Sequence, residues 1–291
     1  MMKKLAKLII LVLILNVINA FTHVVFATPY YDLTPKEIVL RGEFYTMYSQ
    51  SSEERKHNVK LCADKLNNVL IASGEEFSFN QTVGPRTEKQ GYKNAKVILN
   101  GEFSDGIGGG VCQVSSTLYN ALLVSGITVT ECHQHTLQVG YVAPSFDAMV
   151  NYNYADLRFT NNTKNPMYIK TFADGNIIKI SVYGEPNYRK YVRKSVVTET
   201  VLSNQEIIID EKREYPEIKK GERKVISYGR DGIKSEGYIL EYDLIGNLLS
   251  IKRIRKNSYL PIKTVIIEGT YEDEVIDEDF TLTPDVEDEN L

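Results

Sequence analysis

The sequence predicts an α+β fold, helices packed on an antiparallel sheet, followed by a small all-β module. Three observations lead there. Apolar residues recur at helical spacing in "HNVKLCADKLNNVLIAS" and "VCQVSSTLYNALLVSG". Behind the second stretch come β-prone segments cut by glycine, proline and asparagine turns. Past residue 195 strand-like runs alternate with glycine turns and the helical period disappears. The 19 tyrosines, with no tryptophan, suit such β-rich structure better than a helical bundle.

Taken in order, residues 1–27 place Lys3, Lys4 and Lys7 ahead of an apolar run, the layout of a secretory signal peptide or an N-terminal membrane anchor. Export is the first functional expectation, with contact to membrane only through this segment. The next unit, 28–184, opens on "EIVLRGEFYTMYS", which alternates enough for an edge strand. A helix then sets Val59, Cys62, Ala63, Leu66, Val69 and Leu70 on one face, with Gly74 as its stop and Cys62 in the core. "GEEFSFNQTVGPRT" and "GYKNAKVILNGEF" read as strands with turns. The second helix carries Val114, Leu118, Ala121 and Leu122 inward and stops at Gly126. "HTLQVGYV", "DAMVNYNY", "DLRFTNN", "MYIKTFA" and "IIKISVYG" complete the expected sheet.

Residues 185–195 are basic and turn-initiated, the best linker candidate, and 196–269 form the all-β module. The last 22 residues, 270–291, hold ten acids and no base, which reads as a solvated, disordered tail. Without that tail the body is mildly basic, suited to an anionic envelope surface and too weakly charged to argue for nucleic acid.

Three cysteines, Cys62, Cys112 and Cys132, are too few for a disulfide framework in an exported chain. Cys112 follows "GIGGG" and falls in the first turn of the second helix. A thiol there meets unpaired amides and the positive end of the helix dipole, which stabilise a thiolate. Gly108, Gly109 and Gly110 let backbone approach a substrate or turn amides towards an oxyanion, and equally serve a tight turn. The loop lacks the lysine of a phosphate-binding loop, so no nucleotide cofactor is expected. A thiol nucleophile needs a base, and His135 is placed better than His133, with Asp147 or Asp156 as the group that orients the imidazole. That order of cysteine, histidine and acid is the one found in papain-like and transglutaminase-like enzymes, an analogy of order alone. "CHQH" lacks the spacing of ordinary zinc sites, so no metal is expected. Gln113, Ser115, Ser116 and Asn120 add polarity to the helix, either for binding a peptide or sugar or for meeting solvent. The bland alternative is a packed Cys112 and a His135 bonded to a carbonyl.

"GEEFSFNQTVGPRTEKQGYKNAKVI", "GGGVCQVSSTLYNAL", "HTLQVGYV" and "DAMV" with "DLRFTNNT" resemble the VanW family, the family of a vancomycin-resistance accessory protein, over about Asn58 to Gly184. Members of that family usually carry arginine three positions before the histidine matching His135, where this chain has Cys132. The all-β module resembles the G-five domain, with Gly221, Gly229, Gly232, Gly246 and Gly269 as its punctuation. The pairing implies an exported cell-envelope protein that acts on or binds peptidoglycan or another envelope polymer. If catalytic, it would work by cysteine-based acyl transfer or amide hydrolysis; the alternative is a non-catalytic wall-binding or adhesion protein.

Overall fold

The computed structural model describes residues 38–99 and 101–272. The expected signal or anchor at 1–27 lies outside them, as does the acidic tail beyond its first three residues. Among the described residues no helix is long and apolar enough to cross a membrane.

The chain runs β1 (Val39–Met47), α1 (Glu53–Leu66), β2 (Val69–Ile71), β3 (Glu76–Ser78), α2 (Phe79–Val83), a 3-10 turn (Glu88–Gln90), β4 (Asn94–Leu99), β5 (Glu102–Ile107), α3 (Val111–Val124), β6 (Val129–Glu131), β7 (Arg158–Thr160), β8 (Met167–Ala173) and β9 (Ile177–Gly184). Then come β10 (Lys190–Val201), β11 (Gln205–Ile209), β12 (Arg223–Ser227), β13 (Gly232–Tyr242), β14 (Leu248–Tyr259) and β15 (Thr264–Glu268).

The α+β expectation is corrected here. The chain is mostly β, 45% strand against 15% helix, and its strands are divided among several sheets. An antiparallel sheet ordered β1-β9-β8-β2 sits beside a β3-β7-β6 sheet and a β4-β5 hairpin, followed by β10-β13-β14 and β11-β15-β12. The cause is local: β3, β6 and β7 are three residues each and pair only with one another, apart from the β1-β9-β8-β2 sheet. Residues 135–154, expected as two strands, form loops with only isolated bridges, His133 to Met149 and Asn151 to Ala155. Their buried residues still alternate, with His135, Leu137 and Val139 all inward. The period of two was real, but the backbone partners are not strands of this region.

α1 starts at Ser52, whose hydroxyl accepts the Arg55 N–H, with Glu53 and Glu54 favouring the positive end of the helix. It ends eight residues before the expected Gly74, because Asn68 takes a left-handed turn (φ 61°) and sends Val69 and Leu70 into β2. The core forms where α1 (Val59, Cys62, Ala63, Leu66) and α3 (Val114, Leu118, Ala121, Leu122) meet the inward side chains Ile178, Ile180 and Val182 of β9. Each fully buried aliphatic side chain there stabilises by roughly 1.5–3 kcal/mol. The segment read as a linker contributes residues 190–195 to β10, which pairs antiparallel with β13.

Candidate active site

α3 opens from the glycine loop. Its N-cap, Gly110, has φ 111°, a left-handed conformation that side chains resist, and it offers no side chain to cap the first turn. Gly109 is needed for a different reason: a Cβ there would lie 2.6 Å from the Lys96 carbonyl of β4. The Asn58 side chain donates to the Gly109 carbonyl at 3.0 Å, which pins the loop from beneath. Cys112 is therefore presented at the second helical position, partly exposed, while the N–H groups of Val111 and Gln113 are already used by the carbonyls of Gly108 and Gly110.

His135 and Asp147 lie beside it, 5% and 1% exposed. Asp147 Oδ2 accepts both the His135 backbone N–H (2.7 Å) and Nδ1–H (2.8 Å), which fixes the tautomer and turns the other ring nitrogen away from the carboxylate. The Cys112 thiol donates to the Val150 carbonyl at 3.5 Å, and the neighbouring His135 and Cys112 shift each other's ionisation. The structure thus brings Cys112 and His135 to one cleft, with Asp147 fixed against the imidazole.

The electrostatics follow. Burial opposes ionisation of Cys112, yet hydrogen bonding and charge from His135 outweigh it and the thiol is held below its ordinary value. Burial alone would lower His135, but Asp147 and Cys112 raise it to about 9. Asp147 is disfavoured by burial and still sits below the usual carboxylate range, because His135 and Tyr259 stabilise its charge. The other thiols are different: burial pushes Cys62 and Cys132 up to about 12. All three cysteines are unpaired.

Asp156 is not part of this group. Its carboxylate accepts from Ser78 Oγ (2.5 Å) and the Asn80 N–H (2.8 Å), holding the start of α2. The glycines and Gln113 line a cleft of about 1030 Å³ with Cys112 and His135. Gln113 donates to Thr46 and Met47 and accepts from Arg55. Ser115, Ser116 and Asn120 are fully buried and bond to the carbonyls or amides of Phe146 and Ala148. They hold the segment that carries Asp147 against the helix that carries Cys112. Among the described residues no group of three or more metal-capable side chains converges.

The sequence reading missed Tyr141, Tyr259 and Arg255. Tyr141 lines the cleft, and burial followed by the nearby Cys112 raises its hydroxyl well above the ordinary value. Tyr259 and Arg255, from β14, reach Asp147 itself. No local signal marks them, since more than a hundred residues separate them from their partner.

Residues 54–183 match the sequence model of a family described as VanW like protein. The chain carries a VanW-like domain. Uncharacterized protein YoaR of Bacillus subtilis (strain 168) is 40% identical over 153 residues, covering 53% of this chain and 50% of that protein. Vancomycin B-type resistance protein VanW of Enterococcus faecalis (strain ATCC 700802 / V583) is 31% identical over 117 residues, covering 38% and 42%. The chain spans half or less of the length of these relatives. A solved structure described as the IgA1 protease G5 domain aligns with 30% of this chain and 96% of its own, at 16% identity and a TM-score of 0.19. Cys112, His135 and Asp147 all fall inside the VanW-like domain, whereas Tyr259 and Arg255 fall outside it.

Proposed function

We propose that this is a cell-envelope cysteine acyltransferase or amidase acting on peptide amides of peptidoglycan. One observation carries the reading: Cys112 and His135 line the same large cleft, and Asp147 is hydrogen-bonded to the His135 ring behind it. The Cys112 thiolate attacks an amide carbonyl, and the oxyanion gains support from the positive end of the α3 dipole. Protonated His135 gives its proton to the departing amine, leaving a thioester on Cys112 and a neutral imidazole. Water or a second amine then attacks the thioester and gives its proton to His135, so the same site supports hydrolysis or transpeptidation.

The cleft favours an anionic polymer. Arg55, Arg86, Lys96 and Arg230 line it against a single acid, Asp105. The buried Nη atoms of Arg86 have no hydrogen-bond partner, and the guanidinium lies over the rings of Phe79 and Tyr152. Phe103, Tyr152 and Tyr154 expose ring surface at the cleft, which suits the apolar faces of sugars or peptides. Envelope location rests on the N-terminal segment and the VanW and G-five resemblances.

Alkylation of Cys112 tests the chemistry. Because Cys62 and Cys132 are raised to about 12, iodoacetamide near pH 6.5 reports Cys112 alone. Fast alkylation that slows in His135→Ala, together with an acyl adduct on Cys112 after incubation with muropeptides, is the expected result. A thiol of ordinary reactivity with no adduct would leave non-catalytic wall binding as the better account.

A further inference from the structure

The carboxylate of Asp147 is held from two directions. On one side His135 supplies two donors to Oδ2. On the other, Tyr259 of β14 donates its hydroxyl to Oδ1 at 2.5 Å. A phenol has one proton, and Asp147 takes it; the Ser145 N–H then donates to the same phenol oxygen at 2.8 Å. Arg255, on the same strand, donates to the Asp147 carbonyl at 2.6 Å and touches Cys132 Sγ at 3.1 Å. The segment that carries His135 is tied to the same module, with the Leu260 N–H donating to Thr136 and the Gln134 side chain to the Ser258 carbonyl. Tyr259 is 1% exposed, so these bonds are made out of water, where geometry is held firmly.

From these contacts we infer that the C-terminal all-β module is a working part of the site: Tyr259 is a positioning residue that locks the Asp147 carboxylate and, through it, the His135 ring against Cys112. This rests on the acyl-transfer reading above and adds to it that the VanW-like segment alone lacks a complete site. The ionisable groups around Asp147 are His135, Tyr259, Arg255, Cys132, Tyr119 and Tyr141. Of these, only Tyr259 donates to the second carboxylate oxygen.

The experiment uses the full chain and compares Tyr259→Phe, Arg255→Gln and His135→Ala by thermal unfolding and by the pH–rate profile of Cys112 alkylation. Tyr259→Phe keeps the ring and removes one oxygen. Near pH 6.5 it should alkylate on the order of ten-fold more slowly than the parent chain. At about pH 10, where an ordinary thiol is ionised without help, the two rates should converge. Arg255→Gln should move the profile the same way and gives an independent reading if Tyr259→Phe does not fold. A residue that only holds the fold would lower the melting temperature and leave the profile superimposed on the parent's, which overturns the inference. If His135→Ala also leaves the profile unchanged, the cysteine–histidine pair itself fails, and the inference falls with it.

Discussion

Asp147 is the residue whose surroundings decide most. Its two oxygens accept three hydrogen bonds in a site almost closed to water, so replacing the charge costs both orientation and ion pairing. Asp147→Asn should slow Cys112 alkylation near pH 6.5 on the order of a hundred-fold, as loss of a working acid–base partner does. The same group links stability to pH. Asp147 is held low, so its contribution is complete above about pH 4 and lost as pH falls through the folded value. His135 is raised to about 9, so its contribution is complete below its unfolded value near 6.5 and lost as pH climbs through 9. In Cys112→Ser, which removes both the thiolate's opposing contribution and its share in raising His135, the melting temperature should still fall as pH rises above about 6.5 but over a narrower window, and adding Asp147→Asn should flatten that fall. That Cys112 and His135 would come close together was legible in the sequence, because a helix start and the segment that follows it pack side by side. The choice between Asp147 and Asp156 was not, since both precede β-prone residues and only the fold shows which one faces the ring.

Among the elements, α3 does two jobs that its sequence shows unequally. Its apolar period and the glycine stop were plain, and the helix stands at Val111–Val124. Its polar residues were ambiguous, because the period says which side is apolar and not whether the other side is wet. They turn out to be internal fasteners. Ser116 donates to the Cys112 carbonyl (2.7 Å) and accepts the Ala148 N–H (2.9 Å). Ser116→Ala strands that buried amide and should cost about 1–3 kcal/mol in denaturant unfolding. Gly109→Ala pushes a methyl group onto the backbone of β4 and should cost roughly 1–3 kcal/mol or more by the same measurement. A Gly109→Ala chain as stable as the parent would mean the loop does not press on β4. The strands were less legible than the helices. Residues 135–142 alternate like a strand, yet the Thr136 carbonyl accepts from the Leu260 N–H, the Gln138 carbonyl from Arg230 and the His135 N–H donates to Asp147, a set no short-range pattern reveals.

At the scale of the molecule, the basic segment 185–195 reads as a linker because it lacks apolar period, but its side chains are used. Arg193 lies 4.1 Å from the Phe44 ring centroid and 4.9 Å from that of Phe146, and hydrogen-bonds Asn120 of α3. Burial brings its guanidinium down to about 10. Beside it, Ser145 Oγ meets Ser235 Oγ of β13 at 2.8 Å, and Gly237 leaves only enough room for the Ser145 backbone. These bonds, with those of Tyr259 and Arg255, join the β10-β13-β14 sheet to the segment that carries Asp147. Two halves coupled through buried polar groups lose those partners together, because either half alone would leave charges and amides unpaired. Residues 39–272 should therefore unfold in one calorimetric transition, with calorimetric and van't Hoff enthalpies in agreement. A chain ending at Gly184 should melt lower and lose rapid Cys112 alkylation near pH 6.5, although Cys112, His135 and Asp147 are all still present. Two separate transitions, with Cys112 reactivity following only the lower-numbered half, would show instead that the module is a passenger and that the Tyr259 contact carries no weight in the site.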